Sequence, residues 1–343
     1  MTALPYQPDS GCAASAERRA DVLAASAPPA ERWLLIERRG PWPRDALTAF
    51  RRPPEDRDLQ SGVRDQLNGR GGAADIRADD LAAEVSRFCA ALRCRPALIR
   101  RYGRIDQAVP RRWAMVDSRL GHESVRWGEL PTDEHLLEVL AGRDQGAPSD
   151  EPIYLICTHG RHDPCCAMRG RPTAAALAAI HPDRTWECSH VGGDRFAANV
   201  VLLPHGLFYG HVPPTRAAEV VSRYDEGLVV PDLLRGVGAL PPQVQAAQHF
   251  ARAARRSLKV DSLRPTAVQE LARDRWRVRL DDEGQEVVVV VAARLVAIDG
   301  SMTCASSPPG RVRQFDLVGL VEVQRGDGAF YSSVTKRSSW WVP

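Results

Sequence analysis

The order of short apolar runs between residues 153 and 224 narrows most sharply what this chain can fold into. Ile153-Tyr154-Leu155-Ile156-Cys157 reads as a strand. A helix with proline in its first turn is predicted over residues 172–180, and a further strand over 185–189. Val200–Leu203 is the next strand, Pro204-His205-Gly206 a tight turn, 207–211 its hairpin partner and 215–224 a helix. Strand–helix–strand followed by strand–strand–helix predicts an α/β fold of thioredoxin-like architecture, a mixed sheet flanked by helices. In open sheets of this kind ligands gather where a strand hands over to its helix.

The chemistry-bearing residues fall at that first junction. Cys157-Thr158-His159-Gly160-Arg161-His162-Asp163-Pro164-Cys165-Cys166 is followed by Trp186-Glu187-Cys188-Ser189-His190-Val191-Gly192-Gly193-Asp194. Sulfur and imidazole together suit zinc and iron–sulfur centres, whereas magnesium and calcium want oxygen. Cys157 ends a strand and Cys166 follows after eight residues, a loop long enough to fold back and present both sulfurs to one centre. Arg161 and Arg169 in or beside that loop would favour thiolate over thiol. His190 ends the next strand, and Gly192-Gly193 turns the backbone so that residue 194 points back towards it. If strands 153–157 and 185–189 are neighbours, two sulfurs and one imidazole converge, with a fourth position open or filled by Asp194. Cys165 and Cys188 are alternates: Cys165 reads equally as a buried residue, and Cys188 shares a face with His190 as a core residue or spare ligand. His159 and His162 read as loop histidines supporting the site.

Three motifs in order, Cys-Thr-His-Gly-x-x-Asp-x-Cys-Cys, Trp-Glu-x-Ser-His-x-Gly-Gly-x-Arg-Phe-Ala and Leu-Pro-x-Gly-x-x-Tyr-Gly, resemble the sucrase/ferredoxin-like family of thioredoxin-like ferredoxins. Trp33-Leu34-Leu35-Ile36-Glu37 and Gly40-Pro41-Trp42 are similar to its N-terminal pattern, so the resemblance covers roughly residues 12–225. It implies a [2Fe-2S] cluster held in some members by two Cys in a C-x8-C spacing and two His in H-x3-H. Cys157 and Cys166 match the first pair and His190 the first histidine; the second falls on Asp194. Asp194 would then bind through oxygen, or Cys165, Cys188, His159, His162 or His205 would take its place. Imidazole ligation raises the potential of such clusters, so an added carboxylate should lower it.

The remaining sequence divides into an N-terminal α/β region (1–145), the ferredoxin-like domain (146–235) and a small β-rich module (240–343). Helices are predicted over 13–25, from Asp45 to Phe50, and over 81–92, 133–140 and 243–258. Strands are predicted over 32–37, 97–101 and 113–117, the last two as neighbours, and later over 275–279, 286–291, 311–315 and 320–324. Residues 51–80 read as a surface excursion, and the tail Trp340-Trp341 as a docking or contact element. No internal repeat is visible. Cys89 and Cys94 lie in an apolar helical pattern and read as core; Cys12 and Cys304 stand alone and read as structural.

A net charge of +3 on 343 residues argues against nucleic acid or an anionic membrane as partner. The chain shows neither a spanning apolar run nor a signal peptide, so a cytoplasmic protein is expected. Eight cysteines, unevenly clustered, favour metal or redox use over a disulfide scaffold. With no nicotinamide or flavin fingerprint, electrons would come from a redox partner protein; this favours an electron carrier or redox sensor over a catalyst and leaves the question of an enzyme open. The rival readings are a thiol enzyme using Cys165 or Cys166 with a nearby histidine, a structural zinc site on the same donors, and a scaffold that has lost its metal.

Overall fold

The computed structural model describes residues 8–50, 78–103 and 108–323. Most of the predicted excursion and the tryptophan tail lie outside the described residues. After a short helix α1 (Cys12–Arg18), the chain runs through β1 (Arg32–Glu37), α2 (Ala78–Ala91), β2 (Cys94–Arg100), β3 (Arg112–Asp117), β4 (Ser124–Glu129), α3 (His135–Leu140) and β5 (Ala147–Ser149). It continues with β6 (Ile153–Cys157), α4 (Pro164–Ile180), β7 (Thr185–Cys188), β8 (Val200–Leu203), β9 (Leu207–Tyr209), α5 (Pro214–Asp225) and β10 (Leu234–Val237). These ten strands form one mixed sheet in the order β10-β9-β8-β6-β7-β2-β1-β3-β4-β5. The fold is α/β, and β9-β8-β6-β7 with α4 and α5 is the thioredoxin-like unit.

The sheet order is a palindrome of topology. β1 and β2 are parallel and flanked by antiparallel β3, β4 and β5, as β6 and β7 are flanked by β8, β9 and β10. Each half places one helix between its parallel strands and another after its fourth strand. The halves meet antiparallel at β2–β7, where Ile99 pairs with Cys188. Two copies of one plan are thus related by a pseudo-twofold axis, a repeat that the sequence does not reveal. The strands predicted over 97–101 and 113–117 are not neighbours, because β1 lies between β2 and β3.

Alternation along the strands builds a core on each face. Leu34, Ile36 and Leu98 pack with Leu81, Val85, Leu136 and Val139 of α2 and α3. Tyr154 and Ile156 pack with Ala174, Leu177, Val220 and Val221 of α4 and α5. Trp33, Leu35, Ile99, Leu155, Trp186 and Cys188 form the opposite face. Partners across a sheet share a face, and the pairs Ile156–Glu187 and Glu187–Arg100 put all four helices on one side.

The helix expected from residue 172 begins two turns earlier, at Pro164. Asp163 caps it, its carboxylate accepting the Cys165 N–H at 2.8 Å, and Pro164 fills the first position, where no N–H is needed. Helix α6 (Pro242–Arg255) then leads to a four-stranded antiparallel sheet of β11 (Arg264–Ala272), β12 (Arg275–Asp282), β13 (Gln285–Ile298) and β14 (Gly310–Val323). The two strands expected over 311–324 are one continuous β14, whose Gly319 pairs with Val290 next to a register shift. Among the described residues no helix is long and apolar enough to cross a membrane.

Candidate metal centre

β6 and β7 are parallel neighbours with Cys157 beside Cys188, which puts the end of β6 and His190 on one edge of the sheet. α4 returns over that edge so closely that a Cβ on Gly170 would fall 2.0 Å from the Cys157 carbonyl oxygen. Only glycine permits this approach, and it delivers Cys166 to Cys157. On the other side Gly193, at φ 85°, lies against the Arg235 guanidinium, 2.5 Å from where a Cβ would stand. This turn brings Asp194 back to His190, whose Nδ1 is 2.9 Å from Asp194 Oδ1.

Cys157, Cys166 and His190 each direct a donor atom into one space, all within 4.8 Å of one another. His162, His190 and Asp194 form an overlapping group with the same limit. Cys166 Sγ donates to Asp194 Oδ1 at 3.1 Å. Cys157, Cys166 and Asp194 are buried, and His190 is partly open. The His162 ring stacks on His190 with centroids 3.7 Å apart.

The electrostatics are those of a charged pocket. The Cys166 thiol beside it holds Cys157 well below the usual thiol range, against its burial, and His190 adds to the effect. Cys166 is pushed well above its usual range as donor to Cys157 and by burial. Burial opposes a charge on His190, but Asp194 and Cys157 outweigh it and raise the imidazole to about 9. Burial also opposes ionisation of Asp194, and the contact with His190 overcomes it, leaving the carboxyl below its ordinary value. Of the two arginines expected to favour thiolate, Arg161 is exposed and Arg169 pairs with Glu17.

Although close to Asp194, His190 Nδ1 makes no hydrogen bond and is buried. A buried nitrogen that faces two sulfurs and a carboxylate fits a metal ligand. His159 is excluded from that role by its own bonds. Its Nδ1 accepts the His190 backbone N–H at 3.2 Å, and its Nε2 donates to the Pro43 carbonyl at 2.7 Å, which occupies both ring nitrogens. Cys188 stays in the apolar face of the sheet, outside the converging donors. Cys165 turns the other way, and His205 bonds Tyr224 at 2.6 Å.

Sequence reasoning missed two arginines that frame the site. Arg235 is fully buried beneath the glycine turn, donating to the Gly192 carbonyl at 2.8 Å and to Asn199 Oδ1 at 2.7 Å. Arg95 reaches the His190 carbonyl at 3.3 Å and lies near the sulfurs of Cys188 and Cys157. Nothing in the local pattern marks either residue; the only signal is a Gly-Gly pair whose missing side chains leave room for a large one. Outside His190 a cleft of about 530 Å³ opens, lined by Arg44, Arg95, His159 and His162 among others.

A comparison with protein-family models matches residues 23–236 to the family described as sucrase/ferredoxin-like. No curated protein and no solved structure matches the chain.

Proposed function

The chain belongs to the sucrase/ferredoxin-like family, and on that premise we propose that it carries a [2Fe-2S] cluster and works in electron transfer or redox sensing. Cys157, Cys166, His190 and Asp194 would hold the cluster. The observation that carries this reading is the convergence of two buried sulfurs on a buried imidazole nitrogen, all within 4.8 Å of one another. When bound, such a cluster takes up and returns one electron at a potential set by its ligands.

The chain's own residues prepare the site. Cys157 is already biased to thiolate. Asp194 adds an anionic oxygen whose position is fixed by the Gly192-Gly193 turn and by Arg235 beneath it. Stacked His162 covers the His190 ring, and the arginine- and histidine-lined cleft is the natural approach for an acidic face of a redox partner protein. A thiol enzyme is less well supported: Cys165 and Cys166 are both fully buried, and Cys166 is biased to its protonated form, the reverse of an activated nucleophile.

The deciding experiment is anaerobic purification, with iron and acid-labile sulfide analysis and visible and electron paramagnetic resonance spectra. Wild type should hold about two irons and two sulfides and absorb in the visible. Cys157→Ser, Cys166→Ser and His190→Ala should lose those bands, while Asp194→Ala should shift them. A wild-type protein that stays colourless and sulfide-free after reconstitution with iron and sulfide would refute the reading.

A further inference from the structure

A second set of sulfurs begins one residue from the first. Cys165 points away from Cys166 and meets Cys12, at the start of α1, and Cys304, in the connection between β13 and β14. Cys304 Sγ is 3.4 Å from Cys165 Sγ and 3.6 Å from Cys12 Sγ. Buried Asp163 adds an oxygen donor, its two carboxylate oxygens lying 3.8 and 3.7 Å from Cys12 Sγ. The four residues offer ligand atoms that all fall within 4.8 Å of one another.

From this geometry we infer that Cys12, Cys165, Cys304 and Asp163 bind a single zinc ion, in a structural site separate from the proposed cluster. Zinc bound to sulfur at about 2.3 Å sits in a tetrahedron whose sulfur–sulfur edges are about 3.8 Å. The observed 3.4 and 3.6 Å fall a few tenths short of that edge. They are far longer than the about 2.05 Å of a disulfide bond. Three thiols and a carboxylate are also poor company without a cation, because S–H groups are weak donors and a buried carboxylate needs compensation.

The carboxylate is held ready: Oδ1 accepts the Cys165 N–H at 2.8 Å and Oδ2 the Cys304 N–H at 2.7 Å, each keeping a lone pair. The positive charge of Arg195, near Met302 and Cys12, offsets part of the excess negative charge. On binding, each of the three thiols releases one proton and Asp163 none. With all four positions filled by protein, the site is of the closed, structural kind. It pins the N-terminal helix and the β13–β14 connection to the first turn of α4.

The test is metal analysis of the anaerobically purified full chain, with zinc(II) and cobalt(II) as the added probes. Wild type and Cys157→Ser should each hold about one zinc, and cobalt in its place should show thiolate charge-transfer bands. Cys12→Ser combined with Cys304→Ser should hold at least about fivefold less zinc while its iron, sulfide and visible bands match wild type. If the cluster reading fails, iron and sulfide vanish and the zinc remains, so the two failures are distinguishable. Zinc unchanged in the double variant would overturn the site, as would a wild type that takes up no zinc(II), or a disulfide among these cysteines in the anaerobic protein. Exposed Cys304 makes Cys304→Ser a mild change, and should the double variant not fold, the zinc content of Cys157→Ser, in which the other donor set is broken, decides the matter: about one zinc supports the site and none overturns it.

Discussion

The half of the sheet from β1 to α3 and the half from β6 to α5 follow one plan, yet they close the end of their first strand in opposite ways. In the second half that position is Cys157, next to sulfur, imidazole and carboxylate. In the first it is Glu37, a buried carboxylate whose Oε1 accepts from Arg39 at 2.9 Å and whose Oε2 accepts the Arg112 N–H at 3.0 Å. Nearby, Arg38 and Arg111 share Asp133 at 2.8 and 2.7 Å. At this junction Glu37 is matched by Arg39, and Asp133 by Arg38 and Arg111, so it is a structural ion-pair network. In the second half the His190–Asp194 pair, 2.9 Å apart, is crowded by the sulfurs of Cys157 and Cys166. The comparison teaches that the fold supplies the location while the donor types decide whether it becomes a metal site.

The largest contrast should come from exchanging the two strand ends. Cys157→Ser should abolish the visible bands. Glu37→Ala should leave them intact but cost about 3 kcal/mol in urea unfolding, because Arg39 loses its buried partner. If Glu37→Ala also bleaches the protein, the halves are not functionally separate. Gly170→Ala should cost about 3 kcal/mol and lower cluster content, since the new methyl meets the Cys157 carbonyl rather than a movable side chain. Asp194→His should raise the reduction potential by on the order of 100 mV, because a neutral ligand replaces an anionic one; a fall, read by redox titration, would remove Asp194 from the ligand set.

Loading should also depend on pH in the second half. His190 in the metal-free chain titrates at about 9. It must lose its proton to ligate, so its share makes iron affinity climb by about tenfold per pH unit from pH 6.5 towards 9 and then level off. An affinity flat over that range, measured by competition with a chelator, would remove His190 from the ligand set. The smallest effect is expected at Gly40, after β1, where a Cβ meets nothing within 4 Å. Gly40→Ala should change stability by less than about 0.5 kcal/mol, whereas Gly160→Ala, whose Cβ would lie 2.9 Å from that of Ala167, should cost more.

Much of the candidate site was legible because it is local. The β6–loop–α4 spacing places Cys157 and Cys166, and the glycine pair places Asp194 near His190. The start of α4 was read too late because Pro172 imitates a first-turn proline, while Asp163-Pro164 provides both the cap and the true first position. The single strand β14 was read as two because Gly319 interrupts its apolar pattern. Cys12 and Cys304 were read as isolated, and no spacing could join them, since they stand 292 residues apart.

Alone, the sequence determined the order of strands and helices over residues 153–224, the handover at Cys157 and the kinds of donor atoms present, because periodicity, caps and glycines act within a few residues. The tertiary structure decided the rest. It mirrored one half of the sheet on the other, slid Arg235 under the glycine turn, and sent the adjacent Cys165 and Cys166 to different neighbours. Those outcomes depend on segments that meet across separations from 28 to 292 positions of chain, where packing rather than local preference selects the contact.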